Sequence, residues 1–99
     1  MVYVIFKVTK ENTGRINNLL KDDVVSRQSI IIRDANALDV KGDETYLKIE
    51  GSTEGLKRAE ELAKEAGFTR LNDKEASEIN KKIEEQEDSA ATGMGMIFD

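Results

Sequence analysis

The 99 residues contain no cysteine and no histidine. Without cysteine the chain has no disulfide, no thiolate zinc site and no cysteine nucleophile. Without histidine it lacks the commonest general base and the commonest transition-metal ligand. Aromatic side chains are sparse, at 5% of the chain, which leaves little for stacking on nucleic-acid bases. No apolar run approaches the roughly 18 residues of a membrane span. The N-terminal residues show no charged, then apolar, then small-residue order, so no secretory signal is expected and a cytoplasmic location is the default. What remains for acid–base chemistry is carboxylates, lysines and two tyrosines. Asp22-Asp23 is an adjacent carboxylate pair of the kind that faces water at a helix end. The segment after the first apolar run, VTKENTG, carries one glycine and lacks the lysine pattern of a phosphate-binding loop. These absences point away from an enzyme and from any bound cofactor or metal.

Charge is present but unevenly placed. Residues 1–72 carry 12 basic and 12 acidic side chains, whereas residues 73–99 carry 3 basic and 8 acidic ones, so the whole net charge of -5 belongs to the C-terminal part. Acidic blocks of this kind are solvated or serve as interaction tails. Hydrophobic content of 38% in a chain of this length allows one modest core.

The stretch TYLKIEGSTEGLKRAEELAKEAGF, residues 45–68, is the clearest structural unit. Leu47 and Ile49 alternate with Lys48 and Glu50, the period of a half-buried strand. Ser52 or Thr53 is placed to cap a helix, because its hydroxyl can accept a bond from an orphaned N–H. Leu56, Ala59, Leu62, Ala63 and Ala66 then share one helical face. Gly67 suits the left-handed stop, with Phe68 folding back onto the last turn.

The other segments are read around that unit. Val2 to Val8 is almost wholly apolar and reads as a strand covered on both faces. Asn12 or Thr13 caps a helix running to about Leu20, closed by Asp22 and Asp23. Val24 to Arg33 reads as the second strand, with Ile30, Ile31 and Ile32 at its centre. Residues 34–44 form a loop from which Leu38 and Val40 dip toward the core. Phe68 to Leu71 allows a short fourth edge strand. Asn72 or Asp73 caps a last helix with a narrow stripe of Ala76, Ile79 and Ile83, which predicts loose packing, and disorder follows from about Gln86. The domain reading is a folded α/β unit over 1–72, an acidic helix over 73–88 and a disordered tail over 89–99. The element order predicts a two-layer α/β sandwich, a small mixed sheet with helices on one face. The arrangement expected is ferredoxin-like, βαββα(β), with an added C-terminal helix.

Two constellations invite a ligand. Asp34, Asn36, Asp39, Asp43 and Glu44 gather hard oxygens in the 34–44 loop, and calcium takes six to eight such ligands. DANALD opens as an EF-hand loop does. Leu38 then fills a ligand position, Asp39 stands where the turn glycine belongs, and Thr45 replaces the bidentate glutamate, so a solvated loop is the stronger expectation. Arg27 and Arg33 flank the second strand, with Lys7 and Lys48 on its neighbours, and a sheet face of that kind can meet phosphates. The strand and helix of residues 45–65 resemble the closing elements of KH domains, which bind single-stranded nucleic acid. The GxxG loop that clamps the backbone in that family is missing. A neutral body with an acidic tail also opposes a polyanion, so nucleic acid is not the expected partner.

The tail offers a different chemistry. Gly93-Met94-Gly95-Met96-Ile97-Phe98-Asp99 closes an acidic stretch of small residues. Three readings compete for the apolar side chains there: they are uninformative, they pack back onto the body, or they form a short docking motif with Met94, Met96, Ile97 and Phe98 as partner-binding residues. An acidic linker followed by this ending, over Glu85 to Asp99, resembles the C-terminal tail of archaeal and eukaryotic ribosomal stalk proteins. Those tails recruit translational GTPases. Met94, Ile97 and Phe98 fall on that family's apolar anchors, and Asp99 matches the eukaryotic ending. The body does not resemble the helical stalk dimerisation domain. The same residues also loosely resemble a sliding-clamp box whose opening glutamine is replaced by Ala91. The reading is a small non-enzymatic adaptor that docks another protein, a translational GTPase or a sliding clamp, through its tail.

Overall fold

The computed structural model describes the backbone of residues 2–98 and the side chains of residues 2–86. The chain runs as β1 (Val2–Val8), a 3-10 turn (Lys10–Asn12), α1 (Gly14–Leu20), α2 (Asp23–Ser26) and β2 (Ser29–Asp34). It continues as β3 (Thr45–Gly51), α3 (Thr53–Glu65), β4 (Thr69–Arg70) and α4 (Asp73–Phe98).

Local chemistry explains most of these boundaries. Ser52 caps α3 by accepting the Gly55 N–H at 3.0 Å. At the other end Gly67 has φ 82°, and Phe68 N–H donates to the Ala63 carbonyl at 2.9 Å while Gly67 N–H donates to Lys64. That bond pair is the Schellman stop. Asn72 caps α4, its Oδ1 accepting from Glu75 N–H at 2.8 Å.

The segment before β2 departs from expectation. The predicted strand over 24–33 is in fact a four-residue helix followed by a strand that starts at Ser29. Asp22 does not close α1 passively. Its carboxylate accepts both the Val24 and Val25 N–H groups at 3.1 Å, so two orphan donors are satisfied and a new helical turn forms. Val25 is thereby buried in the core. Neither Asn12 nor Thr13 caps α1 through its side chain. Thr13 is itself in helical conformation, and its hydroxyl donates back to the Lys10 carbonyl at 3.0 Å.

The four strands order as β2-β3-β1-β4. Every neighbouring pair is antiparallel, so the sheet is not mixed. β1 and β2 do run parallel, joined by the α1 crossover, but β3 returns from β2 and enters between them. This is the split βαβ order of the ferredoxin-like arrangement, a sandwich of sheet and helices.

Strand alternation sends side chains to two cores. Val4, Phe6, Val8, Leu47 and Ile49 meet Ile16, Leu19, Val25, Leu56, Ala59 and Ala63 on one face. The small Ala59 and Ala63 let α3 lie close to the sheet, and Leu62 sits at the margin of this cluster rather than at its centre. On the other face Ile5, Tyr46 and Leu71 meet Ile79 and Ile83 of α4, together with Ala35 and Leu38 from the 35–44 loop. Ile83 is fully buried, so α4 contributes a second core and is not a loose appendage over this part. The helix is assigned through Phe98 without a break at residue 88. The tail side chains singled out by sequence, Met94, Met96, Ile97 and Phe98, lie outside the described residues, as does Asp99.

One side chain locks the helices to the sheet edge. The Gln28 carboxamide donates to the Val24 carbonyl at 2.9 Å and accepts the Ser52 N–H at 3.0 Å. It lies against Gly51 and Gly55, where an added Cβ would come within 2.0 Å and 2.2 Å of its atoms. Both glycines are needed for that close approach. Arg58 on α3 reaches Asp22 at 3.2 Å, tying α3 to the α2 cap.

Candidate functional site

The face of the sheet that α4 crosses holds most of the chemistry. Cross-strand register builds it in rows. Lys7, Tyr46 and Arg33 form one row, Ile5, Lys48 and Ile31 the next, and Tyr3, Glu50 and Ser29 the third. Ala76, Ile79 and Ile83 of α4 lie over Ile5 and Tyr46, with Tyr3, Ile31 and Val40 partly buried against the same cluster.

Lys48 sits in the middle row and is only 6% exposed. Its ammonium lies 5.2 Å from the centroid of the Tyr3 ring, within cation–π range. The four-carbon stem of the lysine covers apolar neighbours on the way. In the first row Lys7 Nζ pairs with Glu44 Oε1 at 3.7 Å. The other oxygen of Glu44 is buried with no hydrogen-bond partner. The Tyr46 hydroxyl beside this pair is pushed up from its ordinary pKa, first by burial and then by Glu44 and Glu75, against the opposing pull of Lys7.

The phosphate-binding reading needs four free cations on this face, and the geometry does not supply them. Lys7, Lys48 and Arg33 do share the face. Arg27 does not: it ends α2 and pairs with Asp23 at 3.0 Å. Lys7 is already paired, Lys48 is buried, and Arg33 Nη1 donates to the Ile32 carbonyl at 2.9 Å.

The acidic loop is held closed mainly by its backbone. Asp34 Oδ1 accepts from the Thr45 hydroxyl at 3.2 Å. Ala35 N–H donates to the Glu44 carbonyl at 2.8 Å, and Val40 N–H to the Ala35 carbonyl at 2.9 Å. Asp39 at φ 60° and Gly42 at φ 120° make the tight turns. Leu38 does drop into the core, at 2% exposed. Among the described residues no three carboxylates converge where they could hold a metal ion.

The sequence reading missed Gln28 and the capping role of Asp22. A signal for the second was present, since Asp is a preferred N-cap and Asp23 after it suits the first turn of a helix. The Asp22 carboxyl is held below its ordinary pKa by the Val25 N–H and then, against some desolvation, by Arg58 and the Val24 N–H. Arg58 is raised in turn, first by its hydrogen bond to Asp22. These are structural links between α2 and α3. An open depression of about 350 Å³ lies where α4 begins, lined by Tyr3, Ile5, Arg70, Leu71, Asp73 and Ala76 among others. Arg70 points out of it to Glu60 on α3, at 2.6 Å. Among the described residues, no helix is long and apolar enough to cross a membrane. No protein-family model, curated protein or solved structure matches this chain.

Proposed function

We propose that this chain is a cytoplasmic, non-enzymatic protein-interaction adaptor. The folded body is one element, and the acidic C-terminal segment carries Met94, Met96, Ile97 and Phe98 to a partner. The observation that carries this reading is the path of α4. Among the described residues its apolar stripe over the sheet reaches as far as Ile83, and Gln86 reaches the Ala37 carbonyl at the rim of the 34–44 loop. Glu87, Asp88 and the four apolar anchors follow that contact in sequence.

The partner class follows from the resemblance of the last residues to stalk-protein tails, namely a translational GTPase, with a sliding clamp as the competing apolar groove. The test uses purified proteins. The full chain, a truncation after Ala90 and Phe98→Ala are each titrated against a translational GTPase and a sliding clamp. The full chain should bind one of the two, the truncation neither, and Phe98→Ala should weaken binding by about 2 kcal/mol or more, as a central aromatic anchor does. Equal binding by the full chain and the truncation would remove the tail from the function. Binding to neither protein would overturn the partner assignment.

A further inference from the structure

The two edges of the sheet are treated differently. β4 is two residues long, a short edge that offers little to another strand. β2 is six residues, Ser29–Asp34, with three consecutive isoleucines and no lysine, proline or bulge. Its charges are confined to Arg33 and Asp34 at the end. Its ladder is with β3 alone among the described residues.

Ala35 N–H donates to the Glu44 carbonyl at 2.8 Å, one step beyond the Asp34–Thr45 pair. Bonded and non-bonded pairs alternate along an antiparallel ladder. Arg33, Ile31 and Ser29 therefore bond to β3, while Ile30, Ile32 and Asp34 aim their N–H and C=O groups outward. Among the described residues the outward Ile32 carbonyl is met by the Arg33 side chain of the same strand, at 2.9 Å. The Ile32 side chain is itself 40% exposed.

This edge is complementary to itself. A twofold axis through Ile31, perpendicular to the sheet, keeps each face continuous, because residues opposite one another must share a face. In that register Ile31 meets its own copy, Ile30 meets Ile32, Ser29 meets Arg33, and Gln28 meets Asp34. Every isoleucine of β2 has an isoleucine partner, and no like charges oppose. The bonded pair is Ile30 with Ile32, made twice about the axis by residues whose backbone groups point outward, while the Gln28 N–H is held by the Val25 carbonyl and the Asp34 carbonyl by the Leu38 N–H. Moving the axis to Ile32 instead places Ile31 against Arg33 and Ile30 against Asp34. We infer that β2 is a self-pairing edge, through which two copies of this chain join antiparallel about Ile31 into one continuous sheet.

The interface is a single strand pair with flanking isoleucines, so the association is reversible and depends on concentration. The test takes the full chain from micromolar to millimolar concentration by sedimentation velocity, with amide hydrogen exchange at both ends of the range. The expected result is a shift from monomer to dimer, with the Ile30 and Ile32 amides slowing as concentration rises and the Ile31 amide protected throughout. Ile32→Lys replaces a partly exposed side chain and should weaken the dimer at least tenfold with an unchanged circular dichroism spectrum. Ile32→Val should keep it. A monomer at every concentration overturns the inference. So does a dimer that survives Ile32→Lys, or one that leaves the Ile30 and Ile32 amides exchanging freely.

Discussion

Replacing Ile83 by alanine tests whether α4 belongs to the fold. Ile83 is fully buried against the second cluster, whose other members are Ile5, Ala35, Leu38, Tyr46, Leu71 and Ile79. The change deletes three carbon groups, worth about 2.4 kcal/mol of transfer at ~0.8 kcal/mol each. A cavity that fails to collapse adds about 1–2 kcal/mol at ~24 cal/mol per Å³. A rigid site would thus lose about 3.4–4.4 kcal/mol. α4 has an alternative, however. Among the described residues Ile79 and Ile83 are its large aliphatic side chains in the cluster, and burying each contributes about 1.5–3 kcal/mol. Once one is gone, undocking the helix becomes cheaper than keeping the cavity. The global loss should then stop at the docking free energy of α4, below the loss from Ile49→Ala in the first core. Denaturant melts of both variants give the two losses, and native-state hydrogen exchange locates them. Ile83→Ala should abolish protection of the amides around 79–86 and spare those of β1 and β3. Unchanged α4 protection with a loss under about 0.5 kcal/mol would refute the packing. A loss equal to that of Ile49→Ala, with protection falling everywhere, would refute the separate docking of α4.

Leu62→Ala should cost less than the ~2–5 kcal/mol of a fully buried leucine, because Leu62 lies at the margin of the first core; a urea melt beside Leu56→Ala checks the order. Gly55→Ala gains about 1 kcal/mol of helix propensity but displaces the Gln28 carboxamide and its bonds to Val24 and Ser52. It should therefore stabilise more on a Gln28→Ala background than alone, a coupling read by a double-mutant cycle. The folded-state pKa of Asp22 is depressed below the ordinary 3.8, so its contribution to stability is present above that value and lost as pH falls through the folded pKa. Asp22→Asn should flatten the acid limb of a stability–pH profile. Truncation after Ala90 should leave the unfolding midpoint nearly unchanged, while truncation after Asn72 should lower it by uncovering Ile5, Tyr46 and Leu71.

The parts of the fold that were legible in sequence are those set by local chemistry. Ser52, Gly67 and Asn72 each act within a few residues, and each boundary fell where the residue type placed it. The run VYVIFKV predicted cover on both faces, and Ile5 and Phe6 are indeed buried on opposite sides. The miss at 24–28 has an equally local cause. Two valines favour a strand by propensity, but the Asp22 carboxylate bonded both of their N–H groups and turned the chain first. Strand pairing was less accessible. Nothing in the composition of β1, β2 or β3 says that β3 enters between the other two, since alternation fixes faces and not neighbours.

The site was harder to read because its key residue looks like a surface one. In TYLKIE the lysine alternates with Leu47 and Ile49, a pattern that assigns Lys48 to solvent. β3 is nonetheless central, with β1 and β2 on either side, and residues of α4 meet the same face from a sequence position far downstream. An alternating pattern distinguishes the apolar face from the other face, but it cannot say whether a later helix will cover the second. When it does, a long amphipathic side chain is the polar residue best able to stay, since its methylenes pack while its charge finds an aromatic face. Tyr3 supplies that face at 5.2 Å. The same placement keeps the lysine beside Tyr3 and away from solvent.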